Sequence, residues 1–167
     1  MMTISAPRLQ AGKAAESKEG RATPRLSTDY LNRFNEALML IELAATDDSV
    51  IDDLKAWVSL GYREHFQASR LRWAAETICA YDRVDAGRRR GFEQTCAAMT
   101  RLIRTMTALL SEKPHRPELP VIVEVASEAL RKLIGRTTHF INANGTIDLT
   151  TVEDRSLQAD VDALLAR

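Results

Sequence analysis

Three consecutive arginines are the most distinctive chemical feature of this chain. Arg88, Arg89 and Arg90 lie between two glycines in the stretch DAGRRRGFEQ, directly before a long apolar helical pattern. If a helix begins just before them, they occupy its first turn, where backbone N–H groups are unpaired and the helix dipole is positive. Arginine side chains and a helix N-terminus together suit an anion. The sequence therefore predicts an anion- or partner-binding patch here, unless the helix runs through both glycines and the arginines are only solvated.

A second group of residues combines aromatic rings with one imidazole. Tyr62, His65, Trp73 and Tyr81 recur along a segment whose apolar spacing predicts one helix over 62–83. Such side chains could line a pocket between helices for a small ligand, with or without catalysis. Alternatively, Tyr62 and His65 pack at the edge of the bundle with their polar atoms hydrogen-bonded. As a third possibility, Tyr62 and Trp73 form a contact surface for a protein partner together with the arginine-rich segment.

The sequence contains none of the common patterns for catalysis or cofactor binding. GxSxG, P-loop and dinucleotide-binding glycine motifs are absent. Cys79 and Cys96 fall among apolar positions and are expected in the core, while His65, His115 and His139 lack metal-ligand spacing. We therefore expect no metal and no cofactor, and the sequence favours a protein without enzymatic activity.

The elements that must position these residues are helical. The apolar spacing predicts an all-α protein of five to six helices in a mainly antiparallel bundle, near 27–45, 50–58, 62–83, 86–112, 120–141 and 152–166. Phe92, Cys96, Met99, Ile103, Met106 and Leu110 alternate steps of four and three, the seam of antiparallel bundles. We expect 62–83 and 86–112 to form the spine, and the sequence leaves open whether they are separate or continuous.

Composition and charge set the domain organisation. Residues 1–26 are polar and aperiodic with five basic and two acidic residues, which predicts a flexible basic tail before a single helical-bundle domain over 27–167. The whole chain carries 23 basic and 23 acidic residues, so its net charge gives no general attraction to nucleic acid or membranes. Residues 63–104 nevertheless carry nine arginines against five acids, which makes the middle of the chain basic.

These features lead to three hypotheses about function. The first is a non-enzymatic helical module for protein interaction or self-association, with a homodimer expected because its apolar faces are wide. The alternatives are a regulator that binds an anion or nucleic acid through Arg88–Arg90, and a small-ligand-binding bundle with a pocket near Tyr62, His65 and Trp73. The sequence has no long apolar segment and no secretory pattern, so we expect a cytoplasmic protein without a membrane partner.

Overall fold

The computed structural model describes residues 23–112 and 117–150, and beyond them only Ala159 and Ala163. Over this part of the chain the protein is all-α, as the apolar spacing predicts, with six α-helices and no strand. The helices are α1 (Asn32–Ala44), α2 (Ile51–Ala56), α3 (Tyr62–Ala68), α4 (Ala74–Asp82), α5 (Ala86–Glu112) and α6 (Leu119–Asn142). Within the described ranges, no helix combines the length with the apolar character that a membrane span requires.

The spine of the bundle is the antiparallel pair α5 and α6, and α1 packs against both. Phe92 near the start of α5 stacks on Phe140 near the end of α6, with ring centroids 4.8 Å apart. The whole seam of α5 predicted from the sequence is buried, from Phe92 to Leu110. The spine predicted from helix length, 62–83 with 86–112, is wrong because the first of these segments is not one helix.

The segment 62–83 is a helical hairpin. Ser69 ends α3 with an extended backbone (φ −79°, ψ 151°), and its hydroxyl accepts a hydrogen bond from the Leu71 amide at 3.3 Å. Serine competes with helical hydrogen bonding in this way, which explains the break. As a result α4 folds back on α3, and Arg63 forms an ion pair with Asp82. In one continuous helix these residues would lie roughly 28 Å apart at 1.5 Å per residue.

The joint between α4 and α5 shows that these two helices are separate. Asp85 stands between them, and its Oδ2 accepts hydrogen bonds from the amides of Gly87 (3.0 Å) and Arg88 (3.1 Å). A carboxylate at this position satisfies amides that have no partner within the helix and stabilises the positive end of the dipole. Gly87 and Gly91 therefore lie in the first turns of a new helix.

The segment before α1 is held against the bundle as an extended strap. The Asn144 side chain accepts from the Leu26 amide at 2.9 Å and donates to the Pro24 carbonyl at 3.4 Å, while the Thr77 hydroxyl donates to the Arg25 carbonyl at 3.2 Å. Leu26 itself is buried in the core. Asn144 (φ 52°) and Gly145 (φ 73°) adopt the left-handed conformation that the NANG stretch predicts after α6.

Two predicted segments lie mostly outside the described residues. Residues 1–22 of the predicted basic tail are among these, whereas residues 23–26 are described and join the strap. Of the predicted helix 152–166, Ala159 and Ala163 are described, and both are helical and exposed.

Candidate binding cleft

A cleft of about 370 Å³ lies between the first half of α5 and the loop that joins α2 to α3. This volume falls in the range of small-ligand sites, about 300–1,000 Å³. One wall is the loop Ser59, Leu60 and Gly61, and the opposite wall is a stripe of α5 that runs from Glu93 to Arg104. We call this space the tyrosine cleft because Tyr30, Tyr62 and Tyr81 all line it.

The base of the tyrosine cleft is a cluster of packed aromatic rings. Tyr62 stacks on Tyr81 with centroids 4.6 Å apart and meets Phe92 edge-on at 5.7 Å and Tyr30 at 5.1 Å. The Tyr62–Tyr81 contact exists because the break at Ser69 folds α4 back onto α3. Such ring pairs contribute roughly 0.5–1.5 kcal/mol each beyond the burial of their area, so they stabilise the base of the cleft.

The three tyrosine hydroxyls are hydrogen-bonded to different parts of the cleft. Tyr30 donates to the Leu60 carbonyl at 3.0 Å, Tyr62 accepts from the Ser27 amide at 2.8 Å, and Tyr81 donates to Glu93 Oε1 at 2.6 Å. Burial raises the pKa of all three phenols above the ordinary value of 10, so they remain neutral at physiological pH. They act as fixed hydrogen-bonding groups rather than as bases.

Cys96 lines the same cleft but is a poor nucleophile. Its side chain is buried, and burial raises the pKa of the thiol to about 12. Since the thiolate is the reactive form, this cysteine is almost fully protonated and unreactive near neutral pH. Both cysteines are free thiols, and Cys79 is only partly buried.

The α5 wall of the tyrosine cleft carries the charged groups. Glu93, Ala97, Thr100 and Arg104 follow one another at helical spacing, with Arg101 beside them. The Thr100 hydroxyl pairs with the Ser59 hydroxyl at 2.9 Å and so joins this wall to the loop. Two hydroxyls that share one hydrogen bond retain one hydrogen for another acceptor.

The polar and charged groups of the lining are suited to binding a charged ligand. The tyrosine and cysteine side chains stay neutral, and the charged side chains of the lining are Glu93, Arg101 and Arg104. Within the described ranges, no three His, Cys, Asp or Glu side chains are grouped so that they could hold a metal ion. An apolar base beside Arg104 and a hydroxyl pair can hold a small organic anion.

The four residues predicted to line one pocket lie in different places. Tyr62 and Tyr81 meet in the tyrosine cleft, but His65 packs edge-on against Tyr30 and Phe66, where burial and the Arg33 charge lower its pKa. Trp73 is 46% exposed and lines a separate cleft of about 410 Å³ beside the strap. The continuous helix that would have aligned all four does not exist.

The arginine patch lies at the start of α5, but its side chains are not gathered at one point. Consecutive helical residues point about 100° apart. The Arg89 guanidinium lies 5.8 Å from the centroid of the Tyr81 ring. The pKa of Asp148 is lowered mainly by hydrogen bonds from Thr150 and to a smaller extent by the charge of Arg88. Asp85 already occupies the amides at the helix end. Anion binding at Arg88–Arg90 stays a prediction, and it would have to compete with this carboxylate.

Several residues of the tyrosine cleft were missed from the sequence, although a signal existed. Glu93, Ala97, Thr100 and Arg104 recur at i, i+4, i+7 and i+11 beside the apolar seam of the same helix. This polar stripe could have been singled out from spacing alone. The contribution of Tyr30 and of the 59–61 loop depends on tertiary packing, which spacing does not reveal.

Comparison with known proteins identifies no relative: no family model, no curated protein and no solved structure matches this chain.

Proposed function

We propose that this protein binds a small organic anion in the tyrosine cleft and acts as a ligand-binding helical module. The observation that carries the proposal is the joint presence of Arg104 and the Ser59–Thr100 hydroxyl pair in the lining of a partly aromatic cleft. Guanidinium groups bind carboxylates and phosphates through paired hydrogen bonds, and apolar walls strengthen such contacts by lowering the local dielectric.

The cleft is also preorganised for a ligand. The Tyr30 hydroxyl fixes the Leu60 carbonyl, the Glu64 carboxylate accepts from the Gly61 amide at 3.0 Å, and Ser59 is tied to α5. The loop wall is thereby held at three successive residues. Little ordering entropy is lost when a ligand binds to a wall that is already rigid.

A binding assay with a cleft-filling variant tests this proposal. The probe is 2-naphthoate, which joins an apolar bicyclic ring to a carboxylate, and its affinity is measured by isothermal titration calorimetry. Ala97→Leu places a larger side chain in the cleft, whereas Ala108→Leu adds the same group to exposed α5 surface outside the lining. We expect the first variant to abolish binding and the second to retain it; equal effects, or no binding by the wild-type protein, would refute the proposal.

A second function, self-association, is favoured by a different observation. On α1, Met39 and Leu43 are 52% and 45% exposed, and on α6, Val121 and Val125 are 63% and 48% exposed. Each pair is four residues apart and therefore lies on one helix face. Together these exposed side chains form an apolar surface that a second copy could cover.

Sedimentation equilibrium tests this second function. A homodimer should appear at micromolar concentration in the wild-type protein and dissociate in Val121→Lys/Val125→Lys. Since both valines are exposed, these changes should leave the thermal midpoint within a few degrees. A wild-type protein that remains a monomer at several hundred micromolar would exclude self-association.

A further inference from the structure

The α5 wall of the tyrosine cleft has charges of opposite sign at its two ends. Glu93 lies at one end, beside the tyrosines, and Arg104 lies eleven residues later at the other. At 1.5 Å per residue the backbones of Glu93 and Arg104 are roughly 16 Å apart along the helix axis, and those of Glu93 and Thr100 roughly 10 Å apart. A single ligand in the cleft therefore meets an acidic end and a basic end.

The carboxylate of Glu93 is oriented rather than neutralised. Its Oε1 accepts the Tyr81 hydroxyl at 2.6 Å, and within the described part of the chain it forms no ion pair. The arginine one turn earlier, Arg89, lies over the Tyr81 ring instead. One hydrogen bond fixes the group and leaves its other oxygen able to accept from a ligand.

The groups beside Glu93 also favour a ligand that presents a hydrogen-bond donor or a cation at this end of the cleft. The hydroxyl oxygens of Tyr30 and Tyr81 already donate their hydrogens to Leu60 and Glu93, so what they retain is lone pairs. The opposite end offers Arg104 and a spare hydroxyl hydrogen from the Ser59–Thr100 pair. Acceptors are thus concentrated at one end and donors at the other.

We propose that the ligand of the tyrosine cleft is a zwitterion, with an ammonium group at Glu93 and a carboxylate or other oxyanion at Arg104 and Thr100. This inference rests on the proposed function and adds the chemical class of the ligand. A molecule that carries both charges at opposite ends of an apolar body satisfies both ends, whereas a simple anion leaves the charge of Glu93 uncompensated and adds a repulsion.

Two matched probes test the zwitterion directly. One is 6-(aminomethyl)-2-naphthoate, and the other is 6-ethyl-2-naphthoate, which has the same size without the ammonium group. We expect the wild-type protein to bind the first about threefold to fivefold more tightly, the range that one partly exposed charge pair gives. Glu93→Gln should bring this ratio to about one, because glutamine keeps an acceptor for Tyr81 but carries no charge. Glu112→Gln, on the same helix outside the cleft, should leave the ratio unchanged.

The outcomes separate the two proposals. If both probes bind with equal affinity to the wild-type protein and Ala97→Leu abolishes both, the cleft binds anions and the zwitterion is refuted. If neither probe binds, the proposed function fails together with it. A preference for the aminomethyl probe that persists in Glu93→Gln would also refute the assignment of the ammonium group to Glu93.

Discussion

The Tyr81 hydroxyl donates a hydrogen bond of 2.6 Å to Oε1 of Glu93, and this bond joins α4 to α5 across the end of the tyrosine cleft. Tyr81 is buried, whereas Glu93 is exposed. The contact fixes the orientation of the Glu93 carboxylate, which lines the cleft.

Tyr81→Phe removes this bond while keeping the ring stacked on Tyr62. We expect the free energy of unfolding to fall by about 1 kcal/mol, the typical net value of one hydrogen bond, as measured by urea denaturation. Glu93→Gln keeps an acceptor for the Tyr81 hydroxyl and should lower the free energy of unfolding by less. A Tyr81→Phe protein as stable as the wild type would mean that the bond adds no stability.

The raised pKa of Cys96 predicts that the free energy of unfolding falls at alkaline pH. Burial raises the pKa of its thiol from 9.0 to about 12 in the folded protein, so the unfolded chain loses this proton first. Its contribution to stability is therefore complete below pH 9 and is lost as the pH rises from 9 to 12, by up to roughly 1.4 kcal/mol per pH unit. Cys96→Val has no proton to lose, so its unfolding free energy should fall less steeply between pH 8.5 and 9.5. Parallel pH profiles of the two proteins would contradict the assignment.

Asn144 combines a left-handed backbone with two hydrogen bonds to the strap, and two substitutions separate these roles. Asn144→Gly loses the bonds to Leu26 and Pro24 but accepts φ 52° without strain. Asn144→Ala loses the same bonds and adds the steric cost of the left-handed conformation, about 1 kcal/mol. We expect both variants to melt below the wild type and the alanine variant to melt lower than the glycine variant. If alanine is the more stable of the two, the backbone conformation is not constrained as described.

Gly91 allows Thr150 to lie close to the start of α5. A Cβ added at Gly91 would lie 3.0 Å from the Thr150 methyl carbon. The higher helix propensity of alanine should raise the free energy of unfolding of Gly91→Ala by about 1 kcal/mol, but the close contact with Thr150 should cancel much of this increase. In the Thr150→Ser background, which lacks the methyl group, the same change should stabilise the protein more. Additive effects in a double-mutant cycle, measured by urea denaturation, would show that the two residues do not interact.

The helical class and most element boundaries could be predicted from the sequence because they depend on local rules. Pro120 near the start of α6, the turn at Asn144 and Gly145, and the period of the α5 seam are all local signals. The break at Ser69 was missed because the apolar residues on both sides of it continue one helical spacing. That one error placed Trp73 and His65 beside Tyr62 and assigned the spine to the wrong pair of helices. The tyrosine cleft depends on which helices pack together. Local spacing could indicate Tyr62, Tyr81 and the polar stripe of α5, but not the contribution of Tyr30 or of the 59–61 loop.

The affinity of 2-naphthoate for two arginine variants of α5 tests most directly whether the tyrosine cleft binds organic anions. Arg104 lines the cleft, whereas Arg90 is an exposed arginine of the same helix outside it. We predict that Arg104→Gln raises the Kd by about fivefold to tenfold, the loss of one charge-assisted contact, and that Arg90→Gln changes it less than twofold. The neutral analogue 2-naphthalenemethanol should bind both variants equally. An equal loss of 2-naphthoate affinity in both variants, or a larger loss in Arg90→Gln, would contradict the account.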